Sequence, residues 1–221
     1  MSLTYLKLPM FSHLGKQAGT LAMSGLFVST QIVTRPFDWW ASRRIRLHVH
    51  IPHGLRVPHG TLVIANHRSM LDPFLITHHL ERPNWFVPIR APMTPTYARM
   101  PIVGHTLKAL GAYDVGKTTI ERAKKLLFTR DILRRGHTVL LFPEGKIVDH
   151  GAVVQEFKDG AKMLFAEDYP TLFVQLSGFS TLSFIHPKTV VNARMRFSSV
   201  VRGDTAAKLA YMEKFFSADE S

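Results

Sequence analysis

The chain reads as an α/β protein built on a mixed, mostly parallel sheet flanked by helices, and three observations predict this. Short apolar runs recur along it, among them TLVIA (61–65), VLLF (139–142) and TLFVQLS (171–177), each with the length and β-branched content of a buried strand. Segments with helical periodicity fall between those runs, the alternation that lays helices against the faces of a sheet. At 221 residues, with no cysteine and no internal repeat or long Pro/Gly/Ser linker, the chain has the size of one compact domain with a substantial core. Disulfides and thiol catalysis are excluded.

In chain order the expected elements are strand 46–51, strand 61–65, helix 69–80, strand 85–89, helix 94–109 and strand 111–115. There follow helix 118–135, strand 138–142, helix 157–167, strand 171–177, strand 190–200 and helix 204–216. The first two strands, joined through IPHGLRVPHG, read as a hairpin, which would make the sheet mixed. The helix from residue 118 opens with Thr118 or Thr119 and Glu121 as cap signals and closes on Arg134, Arg135 and Gly136. Its apolar side is expected to comprise Ile120, Ala123, Leu126, Leu127 and Ile132. The C-terminal helix is capped by Asp204 and carries Leu209, Met212 and Phe216 as a core stripe.

The N-terminal segment, 1–45, stands apart from the domain expected over 46–221. No charge falls between Gln17 and Thr34. Gln17, Thr20, Ser24 and Gln31 take one side of a helix there, and Leu14, Ala18, Leu21, Val28 and Ile32 another. That pattern predicts an amphipathic, membrane-associating helix lying in the interface. Trp39 and Trp40 then suit the headgroup level, with Arg43, Arg44 and Arg46 beside anionic lipid. A buried helix with core tryptophans is the competing reading. The formal charge of +12, from 28 basic and 16 acidic residues, calls for an anionic partner or tolerance of one. No zinc-finger spacing, ribonucleoprotein aromatic motif or arginine-rich repeat points to nucleic acid.

Two strings carry the chemistry. NHRSMLD, Asn66 to Asp72, follows the second strand and sets His67 in a loop with Asp72 on the next helix. A carboxylate bonded to an imidazole fixes its tautomer and steadies the imidazolium formed when the other nitrogen takes a proton. With no cysteine and no G-x-S-x-G elbow, the nucleophile would belong to the substrate, as in direct acyl transfer from a thioester to an alcohol. The same pair could also be a histidine cap without chemistry. The second string, LFPEGK, Leu141 to Lys146, leaves a strand with Gly145 open to close backbone approach and Lys146 as a charge suited to phosphate. Glu144 would repel phosphate if it faced one, so it is expected to bond a ligand hydroxyl or to hold Lys146 and nearby amides. His78 and His79 are adjacent and share no helical face, so no metal site is expected from them.

Together the strings resemble the glycerolipid acyltransferase family, whose best-known members are the lysophosphatidic acid acyltransferases. The N-H-x-x-x-x-D block is met by Asn66, His67, Ser69 and Asp72, and the F-P-E-G block by Phe142 to Gly145. GAYDVGK approximates another block, with Gly111 opening it and Lys117 where an Arg is usual, and PTLFVQLSG (170–178) loosely echoes a fourth. Where the lysophosphatidic acid enzymes continue with Thr and Arg, this chain has Lys146, Ile147 and Val148. That continuation, with EFKDGAKMLF (156–165), looks more like the branch that reacylates lysophospholipids, including lysophosphatidylethanolamine acyltransferases and tafazzin-like proteins.

The resemblance implies His67 as base and Asp72 as its orienter. It places Asn66, Ser69, Lys117, Glu144, Gly145 and Lys146 about the acceptor, with acyl-CoA or acyl carrier protein as donor and no cofactor or metal. It also implies a helical N-terminal anchor and, with the small size of the chain, an enzyme at the cytoplasmic face of a bacterial inner membrane. The rival readings are a metal-dependent phosphohydrolase and a catalytically silent lipid-binding protein on the same fold.

Overall fold

The computed structural model describes residues 45–80, 89–148, 158–178 and 191–217. The expected N-terminal interfacial helix and its tryptophans lie outside these residues. So does most of the strand expected at 85–89. No helix among the described residues is long and apolar enough to cross a membrane.

Strands β1 (Ile45–His50), β2 (Leu62–Ala65), β5 (Val139–Leu141), β6 (Thr171–Ser177) and β7 (Val191–Phe197) form one sheet in the order β1-β7-β6-β2-β5. Strands β3 (Ala91–Met93) and β4 (Ala112–Asp114) pair with each other in parallel. Arg90 joins the two sheets: its N–H donates to Thr138 and its carbonyl accepts from Leu140, a parallel bridge that extends β3 alongside β5. The ladder therefore continues β2-β5-β3-β4, all in one direction.

The sheet is mixed, but the expected hairpin is not formed. β1 pairs in parallel with β7, from Ile45 opposite Val191 to His50 opposite Arg196, and the antiparallel pair is β6 with β7. Burial explains the placement. β1 alternates, with Leu47 and Val49 against the core and Arg46, His48 and His50 exposed, as suits a sheet edge. Every residue of β2 is fully buried, so it belongs in the centre, between β5 and β6. Glycines at positive φ, Gly54 and Gly60, turn the connection that carries the chain from edge to centre.

Alternation along β2 divides the core. Val63 and Ala65 pack with Ile76 and Leu80 around helix α1 (Asp72–His79). Leu62 and Ile64 pack with Ile132 and Leu133 of α4 (Thr119–Arg134), Leu164 and Phe165 of α5 (Asp159–Phe165), and Met212 and Phe216 of α6 (Thr205–Ser217). The helix expected over 94–109 is two pieces, α2 (Pro95–Ala98) and α3 (Pro101–Ala109). Pro101 is the cause, since it holds Met100 extended at φ −64° and ψ 127°.

Helix α4 has the expected capping box: Thr118 Oγ1 accepts from the Glu121 amide, and Glu121 Oε2 accepts from the Thr118 amide. Its expected apolar side is corrected. Ile120, Ala123 and Leu127 are exposed, and the core stripe is Leu126, Thr129, Ile132 and Leu133, because the sheet lies under the later turns. In α6 Asp204 caps as expected, accepting from Ala207. Leu209 is exposed, however, and Lys208 takes its place inside, with Nζ donating to the Glu167 carbonyl. A long stem with a bonded ammonium can fill a position that an aliphatic stripe would have claimed.

Candidate active site

Where β2 ends, Asn66 replaces one rung of the ladder with its side chain. Its Nδ2 donates to the Leu176 carbonyl at 2.8 Å, and its Oδ1 accepts from the Leu176 amide at 2.7 Å. The backbone is thereby free to leave the sheet while β6 stays satisfied. Asn66 is fully buried, so its role here is to anchor the loop. Asn66→Ala should orphan both Leu176 groups and destabilise the fold by about 2–4 kcal/mol, read as a lower midpoint in urea denaturation. An unchanged midpoint would refute the anchoring role.

The loop then closes on Asp72. Its Oδ2 accepts from His67 Nδ1 at 2.9 Å, from the Arg68 amide at 2.5 Å and from the Ser69 amide at 2.7 Å. Its Oδ1 accepts from Ser69 Oγ at 2.7 Å. The Ser69 hydroxyl also accepts from the Leu71 amide at 3.1 Å. Asp72 is the first residue of α1, three positions later than the expected start, so its carboxylate is favoured by the helix N-terminus as well. With a proton on Nδ1 donated to Asp72, Nε2 of His67 is the ring nitrogen left for a substrate. The His67 side chain is 18% exposed and that of Asp72 is 0%. One group is reachable and the other is sealed beneath it.

The second loop locks onto the first. The Val148 amide donates to the His67 carbonyl at 2.9 Å, and Arg68 Nη1 donates to the Val148 carbonyl at 2.7 Å. The Phe142 ring stacks on the His67 imidazole with centroids 4.1 Å apart and planes 18° from parallel. Three restraints thus hold the imidazole: the carboxylate at one end, the ring on its face, and the backbone pair below.

Glu144 is buried beside this junction, and burial pushes its carboxyl pKa up, opposed by the charges of Arg68 and His67 and by the His67 amide. Neither oxygen makes a well-formed hydrogen bond among the described residues. Glu144 therefore faces inward, whereas Lys146 is exposed, and no ion pair joins them among the described residues. Gly145 adopts φ +64°, the left-handed region, with its open face against the Lys158 stem. The Lys158 amide donates to the Pro143 carbonyl at 3.1 Å, which brings this lysine to the loop.

Seven of the eight expected residues thus gather at the ends of β2 and β5: His67, Asp72, Asn66, Ser69, Glu144, Gly145 and Lys146. Lys117 lies on the same edge at the end of β4, three strands along, or about 14 Å at the usual strand spacing. Its side chain is exposed while its amide donates to Glu121 Oε2 at 2.6 Å. Sequence reasoning gave no role to Arg68, Phe142 or Lys158. Phe142 and Arg68 stood inside the two motifs, but what they touch depends on how the loops meet.

His79 is bonded through Nδ1 to the Leu75 carbonyl at 2.8 Å, and burial lowers its pKa, as for a structural histidine. Among the described residues no group of His, Cys, Asp or Glu is placed to hold a metal ion. The site as built can take a proton from a hydroxyl and stabilise the resulting imidazolium.

No curated protein sequence matches the chain. Among solved structures it is similar to the crystal structure of the 1-acyl-sn-glycerophosphate (LPA) acyltransferase PlsC from Thermotoga maritima. The TM-score is 0.54 at 16% identity, covering 92% of this chain and 98% of that one, which is a likeness of fold. The sequence model described as Acyltransferase matches residues 46–174, a span that holds both motif loops. With that match over more than half of its length, the chain belongs to the acyltransferase family and is an acyltransferase enzyme.

Proposed function

We propose that the protein transfers a fatty acyl group from a thioester, acyl-CoA or acyl carrier protein, to the free hydroxyl of a lysophospholipid, in phospholipid synthesis or remodelling. The observation that carries this reading is the fate of the hydroxyl beside the dyad. Ser69 Oγ is buried and donates to Asp72, so it is not available as a nucleophile. The attacking oxygen then comes from the acceptor. His67 Nε2 takes the hydroxyl proton as that oxygen adds to the thioester carbonyl. The tetrahedral intermediate collapses, the C–S bond breaks, and the imidazolium returns its proton to the departing thiolate. Every electron pair is accounted for by the two substrates and one histidine.

The charges about the dyad support a phosphate-bearing acceptor. Lys146 and Lys158 flank Gly145, and Lys117 stands farther along the same edge. Lysines bind phosphate as point charges without the bidentate fork of arginine, which suits a diester head group as well as a monoester. The solved relative of similar fold is titled as acting on 1-acyl-sn-glycerophosphate. The motif continuation Lys146-Ile147-Val148 favours the reacylating branch, with lysophosphatidylethanolamine as its model acceptor. A phosphohydrolase built on His67 and Asp72 would need carboxylate oxygens open to a metal, whereas both Asp72 oxygens are already hydrogen-bonded. Amphiphilic substrates and the charge of +12 support a location at an anionic membrane, the cytoplasmic face of a bacterial inner membrane in this reading.

The test is acyl transfer by the purified full chain, offering lysophosphatidate and lysophosphatidylethanolamine separately, each with acyl-CoA and with acyl carrier protein. Diacyl product that a chelator leaves undiminished is the expected result, and the better acceptor names the branch. Absence of product from all four pairs would end the proposal.

A further inference from the structure

Since β2, β5, β3 and β4 run the same way, the segments that follow them emerge at one edge, the edge of the dyad. Exposed apolar side chains stand there too. Met70 follows β2, Met100 and Ile102 head α3, which runs back from this edge to the start of β4, and Ile120 lies in the first turn of α4 after β4. Scattered exposed hydrophobics are normal on any protein. Here, however, the two most exposed large ones among the described residues, Ile102 at 82% and Ile120 at 70%, both fall on the catalytic edge. Exposed cations accompany them, Arg99 beside Met100 and Lys117 before Ile120.

We propose that this edge is a docking surface for an anionic phospholipid bilayer, separate from anything the first 44 residues contribute. Met70, Met100, Ile102 and Ile120 enter the boundary between head groups and acyl chains, and Arg99 and Lys117 sit among the phosphates. Apolar tips carried by separate elements, with cations between them, suit a fluid surface that moulds to them. A folded protein partner would instead require a continuous complementary patch. In this placement the open side of His67 faces the lipid, and an acceptor reaches Nε2 without leaving the membrane. The inference rests on the acceptor being a lipid, as proposed above.

The absence of native cysteine makes the test clean. In the full chain, single cysteines replacing Ile102, Ile120 and, at the far end of α4, Arg135 are labelled with a polarity-sensitive dye. They are then mixed with vesicles of phosphatidylcholine alone or with phosphatidylglycerol added. Blue shifts at 102 and 120 but not at 135, larger with the anionic lipid, are expected. No shift at 102 and 120, or equal shifts at all three, would overturn the proposal.

A second measurement uses Ile102→Asp/Ile120→Asp. Turnover of a vesicle-embedded lysophospholipid should fall by at least about tenfold, the scale of withdrawing one such side chain from an apolar phase. Turnover of a short-chain acceptor dissolved as monomers should stay the same. An equal loss on both acceptors would overturn the docking role. Failure of the wild type on both acceptors would instead strike the functional reading, since the dye shifts do not depend on turnover.

Discussion

His67→Ala should lower kcat for acyl transfer by about a hundredfold to ten-thousandfold, the usual contribution of a positioned general base, with KM for both substrates little changed. Nδ1 is committed to Asp72 at 2.9 Å, the ring face is covered by Phe142, and the residue keeps 18% of its side-chain surface, so one nitrogen is held in a fixed direction towards the acceptor. The acceptor hydroxyl is a poor nucleophile while it keeps its proton, and the imidazole removes that proton as the C–O bond forms. Alanine removes the base without removing any group that holds the phosphate. Binding should therefore survive while chemistry fails. Steady-state kinetics on a lysophospholipid, with circular dichroism to confirm folding, would check it. A variant that turns over within a few-fold of wild type would remove His67 from the mechanism, and with it the assignment of the base.

Much of this site could be read from the sequence because its parts are local. The His67–Asp72 pair spans one turn, and the turn residues, the apolar strand before it and the helix after it are contiguous, so spacing and pattern place both groups. The capping box at Thr118 and Glu121 and the cap at Asp204 were legible for the same reason. What was not legible depends on partners distant in sequence. Asn66 bonds Leu176 and Arg68 bonds Val148, and nothing local distinguishes these anchors from ligand-binding groups. Glu144 was expected to bond a ligand hydroxyl or to hold Lys146 and nearby backbone amides, and it lies buried against the dyad loop, where the His67 amide favours its charged form while Lys146 stays exposed.

The misplaced hairpin has a similar origin. Two adjacent strands joined through a turn-rich segment suggest pairing, but β1 has one apolar face and β2 has two, and that difference sends them to the edge and the centre of the sheet. In α4, apolar periodicity identified a helix correctly and misjudged which turns the sheet covers. A pattern reports a face; it does not report how far the supporting surface extends.

Asp72→Asn should be costly in both stability and rate, and the two costs have separate causes. The carboxylate accepts four hydrogen bonds: three from N–H groups at Oδ2 and one from the Ser69 hydroxyl at Oδ1. An amide of the same shape has a single acceptor oxygen. If that oxygen takes the place of Oδ2, the NH₂ group points at Ser69 Oγ, which can rotate and accept; the neutral oxygen then serves three donors less strongly. If the amide is reversed, its NH₂ meets two backbone N–H groups and the imidazole, and those donors are left without an acceptor. The first orientation should prevail, with a stability loss of about 1–3 kcal/mol from weakened buried bonds. The rate should fall further, by about a hundredfold to ten-thousandfold, because an uncharged partner no longer steadies the imidazolium or enforces the tautomer with its proton on Nδ1. Ser69→Ala separates the effects. It removes one of the four bonds but keeps the charge and the His67 contact, so it should lose stability and retain most of its turnover. Thermal melts and kcat for the two variants would be compared. If Asp72→Asn and Ser69→Ala lose turnover equally, Asp72 is a structural cap, and the orientation of His67 comes from elsewhere.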